Sequence, residues 1–269
     1  MAGYRLWRAA DLFCWLRDKM ADFRPTRVEE PPRDPRVHVG IDDTTGTSQE
    51  GMLYTVEYRA FEQSVPPEPR SAGAPSRYEW SFVARVRTER SLGELHGVGT
   101  LGGERRLVWV EPYNGWLECP QELKDAIKQA KYVRMVLATP AIFSKGWLPG
   151  WLQEEEMGGS RALIGCPPTM ASTGLKLRLI GAAVPRRVPV SGWSLRRSSY
   201  GPKPVRWCAP AGAVYFFEVV AGDSAKLVDG WLQPVSDTNL GHESGTRYCE
   251  SGYGLALWGV WTPETGGVS

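Results

Sequence analysis

The sequence predicts an α+β chain dominated by strands, and three observations carry that expectation. Short runs rich in β-branched and aromatic residues alternate with turn-forming clusters, as in Val37-His38-Val39-Gly40-Ile41 and residues 52–58 on either side of Asp42-Asp43-Thr44-Thr45-Gly46. Clear helical periodicity marks only short segments. The 269 residues, 42% hydrophobic and 23% charged, suffice for one or two domains with a buried core.

Leu12, Phe13, Leu16 and Met20 fall at helical spacing within residues 9–23, with Arg17, Asp18 and Lys19 on the other face, which predicts one amphipathic helix. Pro25, Pro31, Pro32 and Pro35 then forbid regular helix and predict a linker. The strand-like runs 37–41 and 52–58, joined by the polar turn at 42–46, predict a hairpin. Residues 65–75, rich in Pro, Ser and Gly, read as a surface loop, and 78–86 as a strand. Gly93, Gly97, Gly99, Gly102 and Gly103 predict a short helix followed by tight turns, and 107–110 a short apolar strand. Strand, strand, helix, strand is what remains of a ferredoxin-like βαββαβ unit without its first strand and most of its first helix. Residues 1–118 are therefore expected to form a partial module.

In residues 119–269 the pattern predicts a helix at 121–131, then strands at 133–138, 176–184, 214–220 and 254–261, with a tryptophan-rich loop around Trp147 and Trp151. This half reads as a second, larger module of the same type.

Charge is uneven along the chain. Lys and Arg total 32 and Asp and Glu 30, a net +2. Between Met157 and Phe217, however, nine basic residues occur with no acid, whereas residues 218–264 carry seven acids against Lys226 and Arg247. Such a segment either concentrates positive potential for a polyanion or is neutralised when the acidic stretch folds back on it. The five cysteines lie far apart with no C-x-x-C pair, which predicts reduced, idle thiols in the cytoplasm, no zinc site and no cofactor. No apolar run approaches the ~18 residues that span a bilayer, so no membrane partner is expected.

Two segments stand out as candidate binding elements. Ser191-Gly192-Trp193, followed by Gly201-Pro202-Lys203-Pro204-Val205-Arg206-Trp207, interleaves cations and rings within the acid-free stretch, the composition of a single-strand RNA groove or of a proline-stiffened loop with solvated charges. Gly252-Tyr253-Gly254 runs directly into a strand; its glycines suit close approach of backbone to phosphate and its ring suits stacking, or it is a plain tight turn. His38, His96 and His242 have no evident catalytic partner, and no H-x-x-x-H, G-x-S-x-G or GK[ST] pattern is present, so no catalytic or metal residue is assigned. Asp42-Asp43 reads as a polar hairpin turn before it reads as a metal site.

Several of these pieces, in this order, resemble the type III-B CRISPR effector subunit known as Cmr subunit three, a member of the RAMP superfamily of RNA-binding proteins. They are Val39-Gly40-Ile41 leading to residues 50–57, Leu101-Gly102-Gly103-Glu104-Arg105-Arg106, Thr139-Pro140-Ala141-Ile142-Phe143, Val190-Ser191-Gly192-Trp193, Lys203-Pro204, residues 210–217 and the final glycine loop. The resemblance implies two ferredoxin-like modules, a glycine-rich loop at 252–259, and a non-catalytic role holding the 5′ tag of the guide RNA. It also implies two protein partners, the large polymerase-like Cmr subunit and the first backbone subunit. The family opens with a strand and an arginine-containing loop ahead of its first helix; neither is found here, so the first module is expected to be incomplete at its N-terminus. The RNA-binding residues expected are Ser191, Gly192, Trp193, Lys203, Arg206, Gly252, Tyr253 and Gly254. Two other readings stay open: a metal-independent endoribonuclease processing guide RNA with His38 or His96 as general base, and a scaffold whose basic stretch meets acidic protein surfaces.

Overall fold

A computed structural model of the chain describes residues 6–25, 28, 30–65, 76–86, 89, 93, 95–102, 105–194, 197–237 and 251–263. Residues 66–75 of the loop expected at 65–75, and Gly103, Glu104, Arg196, His242, Glu243, Arg247, Cys249, Glu250 and Glu264, lie outside the described residues. The fold is α+β, with antiparallel strands and few helices. It divides into two compact units, Met1–Trp7 with Arg27–Leu117, and Arg8–Thr26 with Glu118–Ser269.

The first helix, α1 (Ala9–Leu16), is half the length the periodicity suggests. Asp18 takes a left-handed backbone conformation, φ 59°, which ends the helix. Its carboxylate instead accepts the amide of Thr262 at 2.9 Å and pairs with Arg134. The helix therefore packs with the second unit, although its sequence position precedes the first.

In the first unit, β1 (Arg33–Ile41) and β2 (Ser48–Arg59) form the expected hairpin, with Val39 opposite Leu53. The strand begins earlier than the prolines suggest, because Pro35 lies at the edge of a two-stranded ribbon, where its missing N–H costs no ladder bond. β3 (Glu62–Val65) pairs with β4 (Ser76–Glu79), and residues 81–86, expected to extend a strand, are irregular. The glycine-rich stretch is not helical where it is described. β5 (Gly97–Leu101) pairs with β6 (Arg106–Val110), with Gly97 and Gly102 at positive φ. Such backbone does not belong to a right-handed helix.

In the second unit, α2 (Gln121–Lys128) buries Leu123 and Ile127, one turn apart, and leads into β7 (Tyr132–Leu137). β8 (Leu152–Met157) and β9 (Ser160–Gly165) make a hairpin in a stretch where the sequence pattern predicts no strand. After a 3-10 turn at Pro168–Thr173 come β10 (Lys176–Ala183), the ribbon β11 (Val188–Ser194) with β12 (Gly201–Cys208), and β13 (Val214–Ala221). The short α3 (Lys226–Asp229), β14 (Gln233–Pro234) and β15 (Leu255–Val260) complete the unit.

Seven strands form one antiparallel sheet in the order β14-β15-β7-β13-β10-β9-β8. Register places Met135 beside both Tyr215 and Trp258, and all three are fully buried on one face. Phe217 joins them, its ring 5.9 Å from Trp151 and 6.4 Å from Trp258. On the opposite face Arg134 lies beside Phe216 and Gly259. There Leu16 of α1 sits directly over Gly259, a position that a side chain on residue 259 would occupy. Burying these aromatic side chains at ~25 cal/mol per Å2 is the main force holding the unit together.

Candidate functional site

The acid-free stretch does two different things. Arg161 pairs with Glu154 at 3.5 Å, Lys176 with Glu155 at 3.0 Å, and Arg178 with Glu218, so these cations are neutralised by acids flanking the stretch. Part of the sequence-level positive charge is therefore spent within the sheet. The remainder sits on the β11–β12 ribbon, which leaves the sheet after β10 and returns to it before β13. From Pro185 to Cys208 the sequence holds six cations and no acid. Among the described residues, Arg186, Arg187, Arg197 and Lys203 have no carboxylate in ion-pair range.

The ribbon brings most of the expected residues together. Gly192 lies opposite Lys203 and Trp193 opposite Pro202, while Val190 faces Arg206. The Ser191 hydroxyl donates to the Lys203 carbonyl at 2.9 Å, across an irregularity in the ladder between Val190 and Gly192. Every residue from Pro202 to Trp207 is exposed. Trp193 meets Tyr200 edge-on at 5.8 Å, and the Arg187 guanidinium lies 4.3 Å from the Trp207 ring centroid. A two-stranded ribbon with cations and uncovered rings offers charge for a polyanion and flat surfaces for planar groups.

The glycine loop is built differently. Gly254 is buried at φ 77°, and a side chain there would run into Ser236. Its N–H donates to the Pro140 carbonyl at 2.9 Å and its carbonyl accepts from Val235 at 2.8 Å. Gly252 accepts from the Thr139 hydroxyl at 2.6 Å, and Tyr253 accepts from Ser236 at 3.1 Å. The Gly254 amide is thus committed to the fold, and its glycine is required by packing against Ser236. Tyr253 is only part-buried.

Both elements hang from one short segment. Ala141 exchanges backbone hydrogen bonds of 2.9 Å with Ala209 at the ribbon's root, and the neighbouring Thr139 and Pro140 hold the glycine loop. Trp193 and Lys203 lie further out, roughly 16 to 20 Å along the ribbon from Cys208 at ~3.3 Å per residue. The structure joins the two elements at their bases, with the outer residues carried away from the sheet.

Asp237, one of the acids of the 218–264 stretch, is buried within the fold. It is 6% exposed, and its carboxylate accepts the Ser144 amide at 2.8 Å, the Ser144 hydroxyl at 2.7 Å and the Gly150 amide at 2.9 Å. It pins the loop that carries Trp147. Sequence offers no signal for this, since the contacts span about ninety residues.

In the first unit, His38 stacks on Tyr54 at 5.6 Å, and its Nε2 lies 3.3 Å from the Tyr58 hydroxyl. The guanidinium groups of Arg36 and Arg106 lie 5.4 and 4.6 Å from the Tyr58 ring centroid. His96 lies 5.0 Å from Trp109 with the ring planes nearly perpendicular. Asp42 forms the polar turn: it accepts the amides of Thr44 and Thr45 at 2.9 and 2.8 Å, and these bonds hold its carboxyl below the usual range. Among the described residues no group of three His, Cys, Asp or Glu is placed to hold a metal.

The sequence matches no curated protein. The family model described as CRISPR-associated protein (Cas_Cmr3) matches residues 3–261, nearly the whole chain. The ordered segments from Val39 to the final glycine loop lie inside that match, and the chain belongs to this family, the Cmr3 subunits of type III-B CRISPR effector complexes.

Proposed function

We propose that this chain is a non-catalytic RNA-binding subunit of its effector complex in the cytoplasm, holding the 5′ tag of the guide RNA and bridging the large polymerase-like subunit to the first backbone subunit. The observation that carries the reading is the β11–β12 ribbon, six cations and no acid from Pro185 to Cys208, with Trp193, Tyr200 and Trp207 uncovered. Backbone charge and ring stacking are what a single strand of RNA requires. Ser191, Gly192, Trp193, Lys203 and Arg206 form the gripping surface, and Gly252, Tyr253 and Gly254 support its base.

Both units are read as ferredoxin-like modules. In the second, β15, β7, β13 and β10 are neighbours in that order. Taking β7, β10, β13 and β15 as the four strands of a βαββαβ chain gives the antiparallel order 4-1-3-2. The β8–β9 hairpin and the 3-10 turn occupy the first crossover and α3 the second. The first unit is read as an incomplete relative, in keeping with the exposed Val37, Leu53, Leu107 and Trp109 on its ribbons.

Binding of the full chain to single-stranded RNA bearing the tag, measured across a salt series, tests the role. Lys203→Glu and Arg206→Glu should weaken binding and flatten the salt dependence by about one phosphate contact each. Unchanged affinity in properly folded variants would sink it.

A second reading, metal-independent cleavage with His38 as base, draws on the His38–Tyr58 pair, with the Arg106 guanidinium 4.6 Å from the Tyr58 ring centroid. It requires cleavage of repeat RNA in chelator that His38→Ala abolishes.

A further inference from the structure

At the foot of the β11–β12 ribbon lies a cleft of about 510 Å3, lined among others by Trp147, Val184, Pro185, Arg187, Trp207 and Ala209. Its size is within the range of small-molecule sites. Two features set it apart from an ordinary surface fold. Both indoles are half exposed, Trp147 at 50% and Trp207 at 49%, although each could cover substantial apolar area. Both are also held by rigid supports. The Trp207 backbone is placed opposite Pro189 in the ladder, and its ring carries the Arg187 guanidinium. The Trp147 carbonyl accepts the buried Tyr215 hydroxyl at 2.6 Å, and its loop is tied down by Asp237.

Two polar groups of the lining are engaged within the fold. The Trp147 carbonyl is taken by Tyr215, and the Cys208 thiol points to the Arg206 carbonyl. What remains available is flat ring surface and the Arg187 guanidinium, stacked 4.3 Å from the Trp207 centroid. A guanidinium layered on an indole extends the stacking surface and adds charge beside it. The approach to the cleft is the acid-free ribbon itself, which selects for an anionic ligand.

We propose that this cleft takes one unstacked RNA base, held against Trp147 and Trp207, with Arg187 completing the stack. The inference rests on the RNA-binding reading above and adds a base subsite to it. Ring stacking serves every base, so the subsite anchors the strand with little selection of sequence.

The test uses the full chain and a fluorescein-labelled single-stranded RNA, with a 4-thiouridine version for photocrosslinking. Trp207→Ala and Trp147→Ala should each weaken binding roughly fivefold or more, Trp207→Tyr should restore most of the loss, and crosslinked peptides should contain residue 147 or 207. Oligo(U) and oligo(A) should respond alike to the substitutions. If Lys203→Glu weakens binding while both alanine variants bind as the parent does, the ribbon binds RNA and the base subsite is overturned. If Lys203→Glu and both alanine variants all leave binding unchanged, the RNA-binding reading itself fails and takes the subsite with it.

Discussion

The Asp18 carboxylate pairs with the guanidinium of Arg134, a residue 3% exposed in the middle of the sheet. Arg134 also donates to the Val260 carbonyl at 2.8 Å and stacks over Trp15 at 4.2 Å. Burial pulls its pKa down and Asp18 opposes that shift. One charge pair thus ties α1, β7 and the end of β15 together.

Removing one partner leaves the other charge buried and unpaired. Asp18→Ala should cost about 3–5 kcal/mol in urea unfolding of the full chain. The double change Asp18→Asn with Arg134→Met should recover most of that loss, since Asn suits the left-handed backbone and keeps an acceptor for the Thr262 amide while no charge is left buried. A double variant as unstable as the single would show that the pair contributes through something other than charge compensation.

The two glycines of the C-terminal loop should separate in a thermal melt. Gly252 sits at φ 81° with open space around it, so Gly252→Ala carries only the left-handed backbone cost of about 1–2 kcal/mol. Gly254→Ala adds a collision with Ser236 and should lower the melting temperature clearly more. Equal shifts would mean that Ser236 moves aside freely.

Asp237→Ala strips the acceptor from Ser144 and Gly150 and should cost about 3 kcal/mol or more, as hydrogen bonds to a charged group do. Limited proteolysis should show faster cutting within residues 144–150. If the cutting pattern stays as in the parent, the loop is held by other contacts.

Thiol labelling gives an independent reading of the core. Burial raises the Cys119 pKa to about 11 and also raises that of Cys208. Both should resist iodoacetamide at pH 8 in the folded chain and react once it is unfolded, with mass mapping to identify the sites. Rapid native labelling of Cys119 would place α2 away from the sheet.

Strands such as β7 and β13 were legible because their near-continuous apolar runs, 132–137 and 214–221, belong to strands with neighbours on both sides. The β11–β12 ribbon was legible as a stretch of cations and rings without acids but not as strands. Its Pro189, Gly192, Pro202 and Pro204 break the usual signal, and with almost no buried side it has no apolar alternation to display. The β8–β9 hairpin was hidden by Glu154, Glu155 and Glu156, which are tolerated near the sheet's outer edge, where Lys176 and Arg161 reach two of them. The packing of α1 on the second unit could not be read locally, because Asp18 and Arg134 are 116 residues apart. The same holds for Asp237, whose role is visible only once distant loops are brought to it.

The most direct test of the account is photocrosslinking of guide RNA bearing its 5′ tag to the chain, alone and with the large Cmr subunit, with the linked peptides mapped. The account predicts crosslinks from the tag concentrated in residues 185–208, with further ones near 252–254. Crosslinks absent even with the partner present, or spread evenly over unrelated RNA, would contradict the RNA-binding role and leave a scaffold subunit in its place.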